Sequence, residues 1–520
     1  MNVLLDLNGL QDVAQRVLDA PQVDFFSKMI VNETPLNFWV TADSVARIQP
    51  WLEARYGSEN GSSFVKTLID QCTVVPVRQA SLCAALESRN GKFDPNICIS
   101  IAKLYHLDGI VTKHPEEYQH IDIPSILPDD LLAYCTRFQK KEIKNVPFMN
   151  LKAPYHQIYP EIDQCITRMI TKNSFILGPS VNEFEEGFAD LQGAKYCIGV
   201  SSGTAALHIA LLALGIGPGD LVLLPVNTFI ATAEAVSMVG ATPLFVDCDE
   251  YYNIDPPKVR KIIEAMVAKD MKPPKALIVV HLYGQPADMN SIMALAEEFN
   301  LMVIEDACQA HLARFNGKPV GQFAKLSAFS FYPGKNLGAF GEAGALVTND
   351  ETLYLNARML RQHGEQTRYQ HQMIGHNYRM SAIQGAVLGV KSKYLLEWTF
   401  KRQAIARHYS ELLADIKEIE LPQERTGTQC VYHLYVIQSD QRDELRQFLQ
   451  QNGIETGIHY PKTLHQQAAY SHLGYRDGDF PVAERAVQRI LSLPMFPELS
   501  ERQMKYVRDK IKAFYTKNQK

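Results

Sequence analysis

The sequence lacks an apolar segment long enough to cross a membrane. Its richest apolar run, residues 205–216, is shorter than the roughly 18–20 residues that a transmembrane helix requires. The first residues, Met-Asn-Val-Leu-Leu-Asp, also lack the basic start of a secretory signal peptide. These absences predict a soluble, cytoplasmic protein without a membrane partner.

Cysteine is present without a binding pattern. The nine cysteines are scattered, show no Cys-x-x-Cys or Cys/His spacing, and mostly lie within apolar runs. We interpret them as reduced core residues, which argues against a disulfide framework or a zinc site. No metal is therefore expected over most of the chain.

Signatures of nucleotide and nucleic-acid binding are also missing. Gly334-Lys335 is followed by Asn336 rather than Ser or Thr, so there is no Walker A motif, and no G-x-G-x-x-G run opens a helix. ATP and NAD are thus not expected as ligands. A net charge of -5 argues against a dedicated nucleic-acid-binding protein.

The 520 residues exceed what one hydrophobic core usually serves, and two or three domains are expected. Residues 1–120 are predicted to form a small α/β domain, with short strands at 2–7, 38–41 and 109–112 and a helix at 95–106. This order resembles the PIN domain, a nuclease fold in which acidic residues at strand ends hold magnesium or manganese.

The residues that carry this resemblance are Asp6, Asn8 and Asp94. The chain departs from the PIN pattern in two places, since only Asp43 lies near the second acidic motif and Thr112 is followed by Lys-His. Missing carboxylates weaken divalent-ion binding severely. A metal site at Asp6 and Asp94 therefore competes with the interpretation of the two residues as a helix cap and a turn residue.

Residues 121–146 are predicted to be a linker with one short helix, because Pro and charged residues replace the apolar pattern. From 147 to 385, strand-like runs alternate with helix-length segments, which predicts a mainly parallel sheet with ligands at the carboxyl ends of its strands. The predicted strands are 196–200, 221–225, 243–247, 276–283, 301–306 and 326–331. Residues 386–520 are predicted to form a smaller α+β domain.

Lys335 has an unusual position for a lysine. It follows an apolar, aromatic run at a Pro-Gly turn, and three glycines come after it. A lysine in an apolar pocket can lose its proton and become a nucleophilic amine. From this stretch alone, a surface lysine on a turn is the alternative.

Two further features complete a pattern. Asp306 ends a predicted strand, where a buried carboxylate needs a cationic partner such as the protonated ring nitrogen of pyridoxal phosphate. Residues 201–206 join a strand to a helix and offer free backbone N–H groups to a phosphate, although an ordinary helix cap would look the same. With Lys335 29 residues after Asp306, the order resembles that of fold type I, pyridoxal-phosphate-dependent aminotransferases.

Longer motifs narrow the resemblance. They occupy residues 175–180, 202–204, 217–220, 227–232, 281–289, 305–311, 329–338, 376–380, 457–461 and 493–495. Together they resemble the DegT/DnrJ/EryC1/StrS family of nucleotide-sugar aminotransferases, over about residues 150–515. The resemblance implies a homodimer with shared active sites.

The resemblance also implies the cofactor contacts. Lys335 would bond to pyridoxal phosphate and then act as general base and acid, while Asp306 would pair with the pyridinium nitrogen. The other implied cofactor residues are Gly203, Thr204 and Ser330 at the phosphate, Asn377 at the phosphate of the neighbouring subunit, Gln309 at the ring oxygen, and Phe229 stacked on the ring.

The substrate side is less determined. Candidate contacts are His281, His311, Tyr332, His459, Tyr460 and His465, although such histidines are as often structural donors. The run at 282–288 resembles members that act on 3-keto sugars, and the expected partners are a UDP- or dTDP-linked keto sugar and glutamate as amino donor. Two other hypotheses remain: a regulatory protein acting through its N-terminal unit on RNA or a partner, and a metal-dependent nuclease.

Overall fold

The computed structural model describes residue 143 and residues 145–518, together with parts of the preceding region. These parts are residues 2–19, 37–57, 62–66, 73–75, 98–99, 101–102, 107, 109–118 and 123–127. The chain divides into two compact units, Met1–Ile143 with Tyr155–Pro160, and Lys144–Pro154 with Glu161–Lys520. The division after residue 143 lies within the range of the predicted linker, and the finer domain boundaries stay predictions. Among the described residues, no helix combines the length and apolar character needed to cross a bilayer.

The first unit contains a five-stranded parallel sheet. Its strands are β1 (Asn2–Leu5), β2 (Asn37–Thr41), β3 (Thr73–Val75), β4 (Gly109–Val111) and β5 (Ser125–Ile126), in the order β3-β2-β1-β4-β5. The described helices are α1 (Leu7–Asp19), α2 (Ala42–Tyr56) and a 3-10 turn at Pro115–Tyr118. Leu4 and Leu5 pack into two different apolar clusters, so both faces of the sheet are covered, as parallel sheets require.

The second unit is built on a seven-stranded sheet. Its strands are β6 (Tyr196–Val200), β7 (Leu221–Pro225), β8 (Thr242–Val246), β9 (Ala276–Val280), β10 (Met302–Asp306), β13 (Leu326–Ser330) and β14 (Gly344–Thr348), in the order β6-β14-β13-β10-β9-β7-β8. In this sheet β14 runs opposite to the other six strands, which are parallel to one another. The six strands predicted from the sequence are present with ends shifted by at most three residues. The sequence interpretation missed β14, because this strand follows a glycine-rich loop with no intervening helix.

Helices cover this sheet and extend into the C-terminal part of the unit. They are α3 (Lys152–Thr171), α4 (Pro179–Gln192), α5 (Gly203–Ala213), α6 (Ala231–Met238), α7 (Pro256–Ala268), α8 (Met289–Glu298), α9 (Glu351–Arg361), α10 (Ala382–Ser392), α11 (Leu395–Leu413), α12 (Arg442–Gln451), α13 (Pro481–Arg489) and α14 (Glu501–Asn518). Short 3-10 segments occur at Leu282–Gly284, Leu464–Gln466 and Ala468–Leu473.

Smaller sheets complete the second unit. One joins β11 (Arg314–Phe315), β12 (Lys318–Pro319) and β18 (Thr428–Gln429), and a hairpin joins β15 (Glu365–Thr367) to β16 (Gln370–His371). A third sheet contains β17 (Ile419–Glu420), β19 (Tyr435–Ser439) and β20 (Ile490–Leu493).

Strand β9 shows why the sequence gives a sheet buried on both faces. All five of its residues are buried, with Ala276 and Ile278 in one apolar cluster and Leu277 and Val279 in another. Successive side chains of a strand point to opposite faces, so a continuous apolar run fits between two layers of helices. Each large aliphatic side chain buried in this way contributes about 1.5–3 kcal/mol.

Candidate active site

Most of the predicted cofactor residues lie at one edge of the large sheet. Because β6, β7, β9, β10 and β13 are all mutually parallel, their carboxyl ends lie on the same side. The segments that follow them are 201–203, 227–232, 281–285, 307–309 and 331–335. This edge is where open α/β sheets bind their ligands.

The start of α5 forms a close-packed cradle. Ser202 caps the helix, since its Oγ accepts a hydrogen bond from Ala205 N at 3.1 Å. A Cβ at Gly203 would lie 2.8 Å from Ser330 Cβ and 3.0 Å from Cys308 Sγ. Only glycine therefore fits where the helix N-terminus meets the ends of β13 and β10. The free N–H groups and the dipole of such a terminus suit a phosphate.

Asp306 is held by two donors. It is 5% exposed, its Oδ2 accepts from Thr232 Oγ1 at 2.9 Å, and its Oδ1 accepts from Cys308 N at 3.2 Å. The hydroxyl of Thr228 lies 3.0 Å from that of Thr232. Thr232 belongs to a motif seen in the sequence, but sequence reasoning gave it no role, because its partner is 74 residues away.

Lys335 lies close enough to Asp306 for their charges to interact. It is partly buried at the turn after β13, where its backbone N donates to Tyr332 O at 2.8 Å. Burial lowers the pKa of the Lys335 amine, while Cys308 and Asp306 act in the opposite direction. The amine is thus nearer to its neutral, nucleophilic form than an ordinary lysine.

Gln309, Tyr460 and Phe229 form one wall of the site. Gln309 Nε2 donates to Tyr460 Oη at 3.2 Å, and its Oε1 accepts from Tyr283 N at 2.7 Å. The ring of Tyr460 lies 5.4 Å from that of Phe229, and Phe229 is 52% exposed. An exposed aromatic ring at this edge is available for stacking on a flat ligand.

His281 is placed in the core. It has no exposed surface, its Nδ1 accepts from Ala287 N at 3.1 Å, and its Nε2 lies 3.2 Å from Glu305 Oε2. Both ring nitrogens are therefore used inside the protein. Since neither ring nitrogen is left for a substrate, we do not expect His281 to contact the sugar.

Glu305 explains the position of His281. Besides His281, its carboxylate accepts hydrogen bonds from Gly321 N at 2.7 Å, Phe323 N at 2.9 Å, Ala324 N at 2.8 Å and Ser327 Oγ at 3.1 Å. Burial alone would raise the pKa of Glu305, but the contact with His281, together with the N–H groups of Ala324 and Gly321, outweighs it and the pKa is lowered. Glu305 is therefore a structural carboxylate that holds residues 321–327, around the start of β13, in place.

Three histidines surround Lys335. Burial and the charge of Lys335 lower the pKa of His311 to about 3 and that of His459 to about 4. The same two causes, with Arg402, lower the pKa of His433 well below its usual range. All three are therefore neutral at pH 7, and a second positive charge beside Lys335 is avoided. Sequence reasoning missed His433, which lies just before β19 in a run that indicates only a strand.

Their hydrogen bonds distinguish the two predicted histidines. His311 is buried, and its Nε2 donates to Ser330 O at 2.9 Å while its Nδ1 has no partner. His459 Nδ1 pairs with Ser492 Oγ at 2.9 Å, and its ring stacks on Phe148 at 5.5 Å.

The remaining predicted residues have different surroundings. Tyr332 is 55% exposed. Asn377 is also exposed, and its Oδ1 accepts from Arg379 Nε at 3.0 Å. His465 is buried beside Thr463, Glu484 and the ring of Phe480. His465 therefore belongs to a separate cluster of side chains.

In the first unit, Asp6 has the contacts of a helix cap. Its Oδ1 accepts from Gly9 N at 2.7 Å, and its Oδ2 accepts from Tyr118 Oη at 3.1 Å. Burial raises the pKa of Asp6 despite these bonds. Asp94 and the side chain of Asp43 lie outside the described residues, so the metal-site hypothesis for this unit stays a prediction.

The residues at the sheet edge fit the chemistry of pyridoxal phosphate. Gly203, which packs too closely against Ser330 and Cys308 to admit a Cβ, lies at a helix N-terminus that suits a phosphate. The fixed carboxylate of Asp306 suits a protonated ring nitrogen. Lys335, with its lowered pKa, supplies an amine for an aldehyde.

Comparison with family models matches residues 156–512 to the DegT/DnrJ/EryC1/StrS aminotransferase family. The chain is 44% identical over 374 residues to a pleiotropic regulatory protein of Geobacillus stearothermophilus, covering 71% of this chain and 99% of that protein. It is 41% identical over 376 residues to a dTDP-3-amino-3,4,6-trideoxy-alpha-D-glucose transaminase of Streptomyces venezuelae, covering 72% and 97% of the two chains.

Among solved structures, ntda from Bacillus subtilis with bound cofactor PMP is similar at a TM-score of 0.67 and 28% identity. The match covers 78% of this chain and 96% of that chain. It confirms the fold class predicted for the large domain. The family match begins at residue 156, so the PIN-like interpretation of residues 1–120 stays a prediction.

Proposed function

Because the chain belongs to the DegT/DnrJ/EryC1/StrS aminotransferase family, we propose that it binds pyridoxal phosphate and transfers an amino group to a nucleotide-linked keto sugar. The observation that carries the proposal is the position of Lys335, with a lowered pKa, beside the fixed carboxylate of Asp306. Bound pyridoxal phosphate supplies an aldehyde that exchanges amines and a ring that takes up electrons.

Lys335 performs the covalent and proton-transfer work in this proposal. Its amine is the nucleophile that attaches to the cofactor aldehyde, and burial keeps part of it in the reactive neutral form. With an amino donor in the site, the same Nζ would hold the proton and move it between the two reacting carbons. Because burial keeps His311, His433 and His459 neutral, these three side chains add no positive charge beside the Lys335 amine.

Asp306 orients the ring, and the N-terminus of α5 holds the phosphate. Thr232 and Cys308 fix the Asp306 carboxylate, which keeps the proton on the ring nitrogen. Because Gly203 has no side chain, the helix N-terminus can lie close to the phosphate, and the hydroxyls of Thr204 and Ser330 would donate further hydrogen bonds to it. With the cofactor bound, Gln309 would contact the ring oxygen and Phe229 would cover the ring face.

The substrate proposed is a UDP- or dTDP-linked 3-keto sugar, with glutamate as the amino donor. The name of the Streptomyces venezuelae relative supports amination at carbon 3, and so does the motif at residues 282–288. The proposed substrate contacts are Tyr332, His459 and Tyr460, and His311 stays a candidate contact. Tyr460 is tied to Gln309, so a substrate held there would lie beside the cofactor ring.

We propose that the active form is a homodimer in which Asn377 of one copy reaches the phosphate of the other. Asn377 is exposed in the single chain. Nearby Tyr369 and Ile374 are 78% and 92% exposed, and large apolar side chains left in water are typical of an interaction surface.

The test uses Lys335→Ala, with Lys325→Ala as a matched control outside the site. After incubation with pyridoxal phosphate, borohydride reduction and gel filtration, wild type should carry the cofactor covalently and gain the mass of one cofactor per chain, as should the control. Lys335→Ala should do neither. Mass spectrometry of products from UDP- and dTDP-keto sugars with glutamate would identify the substrate. A wild type that retains no cofactor after reduction and gel filtration would refute the proposal.

A regulatory role is the second candidate, favoured by the name of the Geobacillus stearothermophilus relative. It predicts that an effect on gene expression survives Lys335→Ala. Loss of the effect together with turnover would instead assign the regulation to the reaction product.

A further inference from the structure

We propose that His465, Asp477 and Glu484 form a binding site for one divalent transition-metal ion of the zinc class. One ligand atom from each residue lies within 4.8 Å of the other two. His465 is 6% exposed, Glu484 is partly buried and Asp477 is exposed. The cluster therefore has a buried nitrogen ligand and a carboxylate open to solvent, which gives an ion a path of entry.

The hydrogen bonds around His465 fix which ring nitrogen carries the proton. Gln466 Nε2 donates to Asp477 Oδ1 at 2.9 Å, so Gln466 Oε1 is the acceptor for Thr463 Oγ1 at 3.0 Å. A hydroxyl has only one proton to donate. Thr463 Oγ1 must then accept from His465 Nδ1, which lies 2.9 Å away. When the imidazole is neutral, Nε2 is therefore the nitrogen that carries the lone pair.

This lone pair faces negative charge. Nε2 is buried without a hydrogen-bond partner, although Glu484 Oε1 lies only 3.2 Å away. A buried, unpartnered nitrogen is costly, and a lone pair directed at a carboxylate adds repulsion. An ion bound between Nε2 and the two carboxylates removes both costs.

The carboxylate of Glu484 is already held in place. Its Oε1 and Oε2 accept from Gly478 N at 2.9 and 2.7 Å, and its Oε1 also accepts from Phe480 N at 3.0 Å. The Thr463 bond orients the imidazole in the same way. Metal ligands are typically fixed by such outer contacts.

The donor set selects the class of ion. An imidazole with two carboxylates suits zinc or a similar transition metal, whereas magnesium and calcium favour sites made of oxygen alone. Water would complete the coordination on the open side. The ion would join three segments, namely the turn at Leu464–Gln466, the loop 474–480 and the start of α13.

The position of the proposed metal site indicates which part of the protein a bound ion would stabilise. Leu464 N donates to Val226 O at 2.8 Å, directly before the segment 227–232 that carries Phe229 and Thr232. We therefore expect metal binding to stabilise the second unit as a whole rather than to enter the reaction.

The experiment uses the full-length protein with its cofactor, stripped of metal with EDTA and then titrated with Zn²⁺. Wild type should retain about one zinc per chain by elemental mass spectrometry, and its Tm should rise by roughly 3–5 °C at saturation. Mg²⁺ at the same concentration should produce neither effect.

Asp477→Asn and Asp479→Asn form a matched pair in the same exposed loop. Asp477→Asn keeps an oxygen for Gln466 but loses the charge, and should weaken zinc binding at least about tenfold, as should His465→Gln. Asp479→Asn should bind zinc like wild type. Equal binding by wild type and Asp477→Asn would assign the zinc to other groups and overturn the proposal. Failure of wild type to retain zinc would also overturn it and leave His465 and Glu484 as an ion pair.

Discussion

Replacing Thr232 with valine tests whether this hydroxyl prepares Asp306 for the cofactor. Thr232 is 1% exposed and donates to Asp306 Oδ2 at 2.9 Å. Since its one proton goes to Asp306, the Thr228 hydroxyl at 3.0 Å must be the donor in the Thr228–Thr232 pair. Valine has nearly the same shape, so the substitution removes both hydrogen bonds with little change in packed volume.

The expected magnitude follows from the charge of the acceptor. A hydrogen bond to a charged group contributes about 1.5–3 kcal/mol, and each 1.4 kcal/mol corresponds to a factor of about ten in affinity. If the bond serves the form of Asp306 that pairs with the ring nitrogen, affinity for pyridoxal phosphate should fall roughly 10- to 100-fold. Thr232→Ser keeps the donor and should stay near the wild-type value.

The assay is an absorbance titration of cofactor-free protein with pyridoxal phosphate, performed on wild type, Thr232→Val and Thr232→Ser. Thermal unfolding of the same three proteins without cofactor separates a general loss of stability from a loss at the site. Equally tight cofactor binding by Thr232→Val and Thr232→Ser would show that the Thr232 hydroxyl does not prepare Asp306 for the cofactor.

Two further substitutions test the cradle and the structural carboxylate. Gly203→Ala places a Cβ 2.8 Å from Ser330 Cβ and should cost about 1–3 kcal/mol of local packing, seen as weaker binding of inorganic phosphate and cofactor by calorimetry. Gly187→Ala, in the open interior of α4, should instead be neutral or slightly stabilising; equal effects of the two would contradict the cradle. Glu305→Gln should destabilise the protein by about 3 kcal/mol, because backbone donors lose their charged acceptor. Since the folded-state pKa of Glu305 is lowered from 4.5, its contribution is complete above that pH and is lost as the pH falls below it. The difference in Tm between wild type and Glu305→Gln should therefore narrow in acid, and a difference independent of pH would contradict the assignment.

The large sheet could be predicted because its signal is local. Strands buried on both faces appear as short apolar runs, as in β9, and the helices between them keep the strands parallel. The aminotransferase class was predicted from the motifs around Lys335 and Asp306, and the family match confirms it. Strand β14 follows β13 through a glycine-rich loop, where the same local pattern indicates only turns.

The partners of the site residues could not be predicted in the same way. Thr232 meets Asp306 across 74 residues, and His433 approaches Lys335 across almost a hundred positions of chain. Such contacts depend on which loops share an edge of the sheet, and residue type and spacing do not encode that. The sequence therefore indicates candidate residues for the chemistry, while the structure shows which residues contact them.

Adjacent carboxylates on β10 illustrate this division. Glu305 and Asp306 look equivalent in the sequence, yet neighbouring strand residues point to opposite faces. Glu305 therefore points into a set of backbone donors and His281, whereas Asp306 receives only Thr232 and Cys308 among its described side-chain contacts. A carboxylate saturated by donors on every side has no capacity left for a ligand, while one with two donors can still accept a third. The two carboxylates thus differ in the number of hydrogen bonds that they already accept, and not in their position in the motif. Glu305 is the structural acid, and Asp306 is the one available to a cofactor. His281, as a partner of Glu305, is also structural.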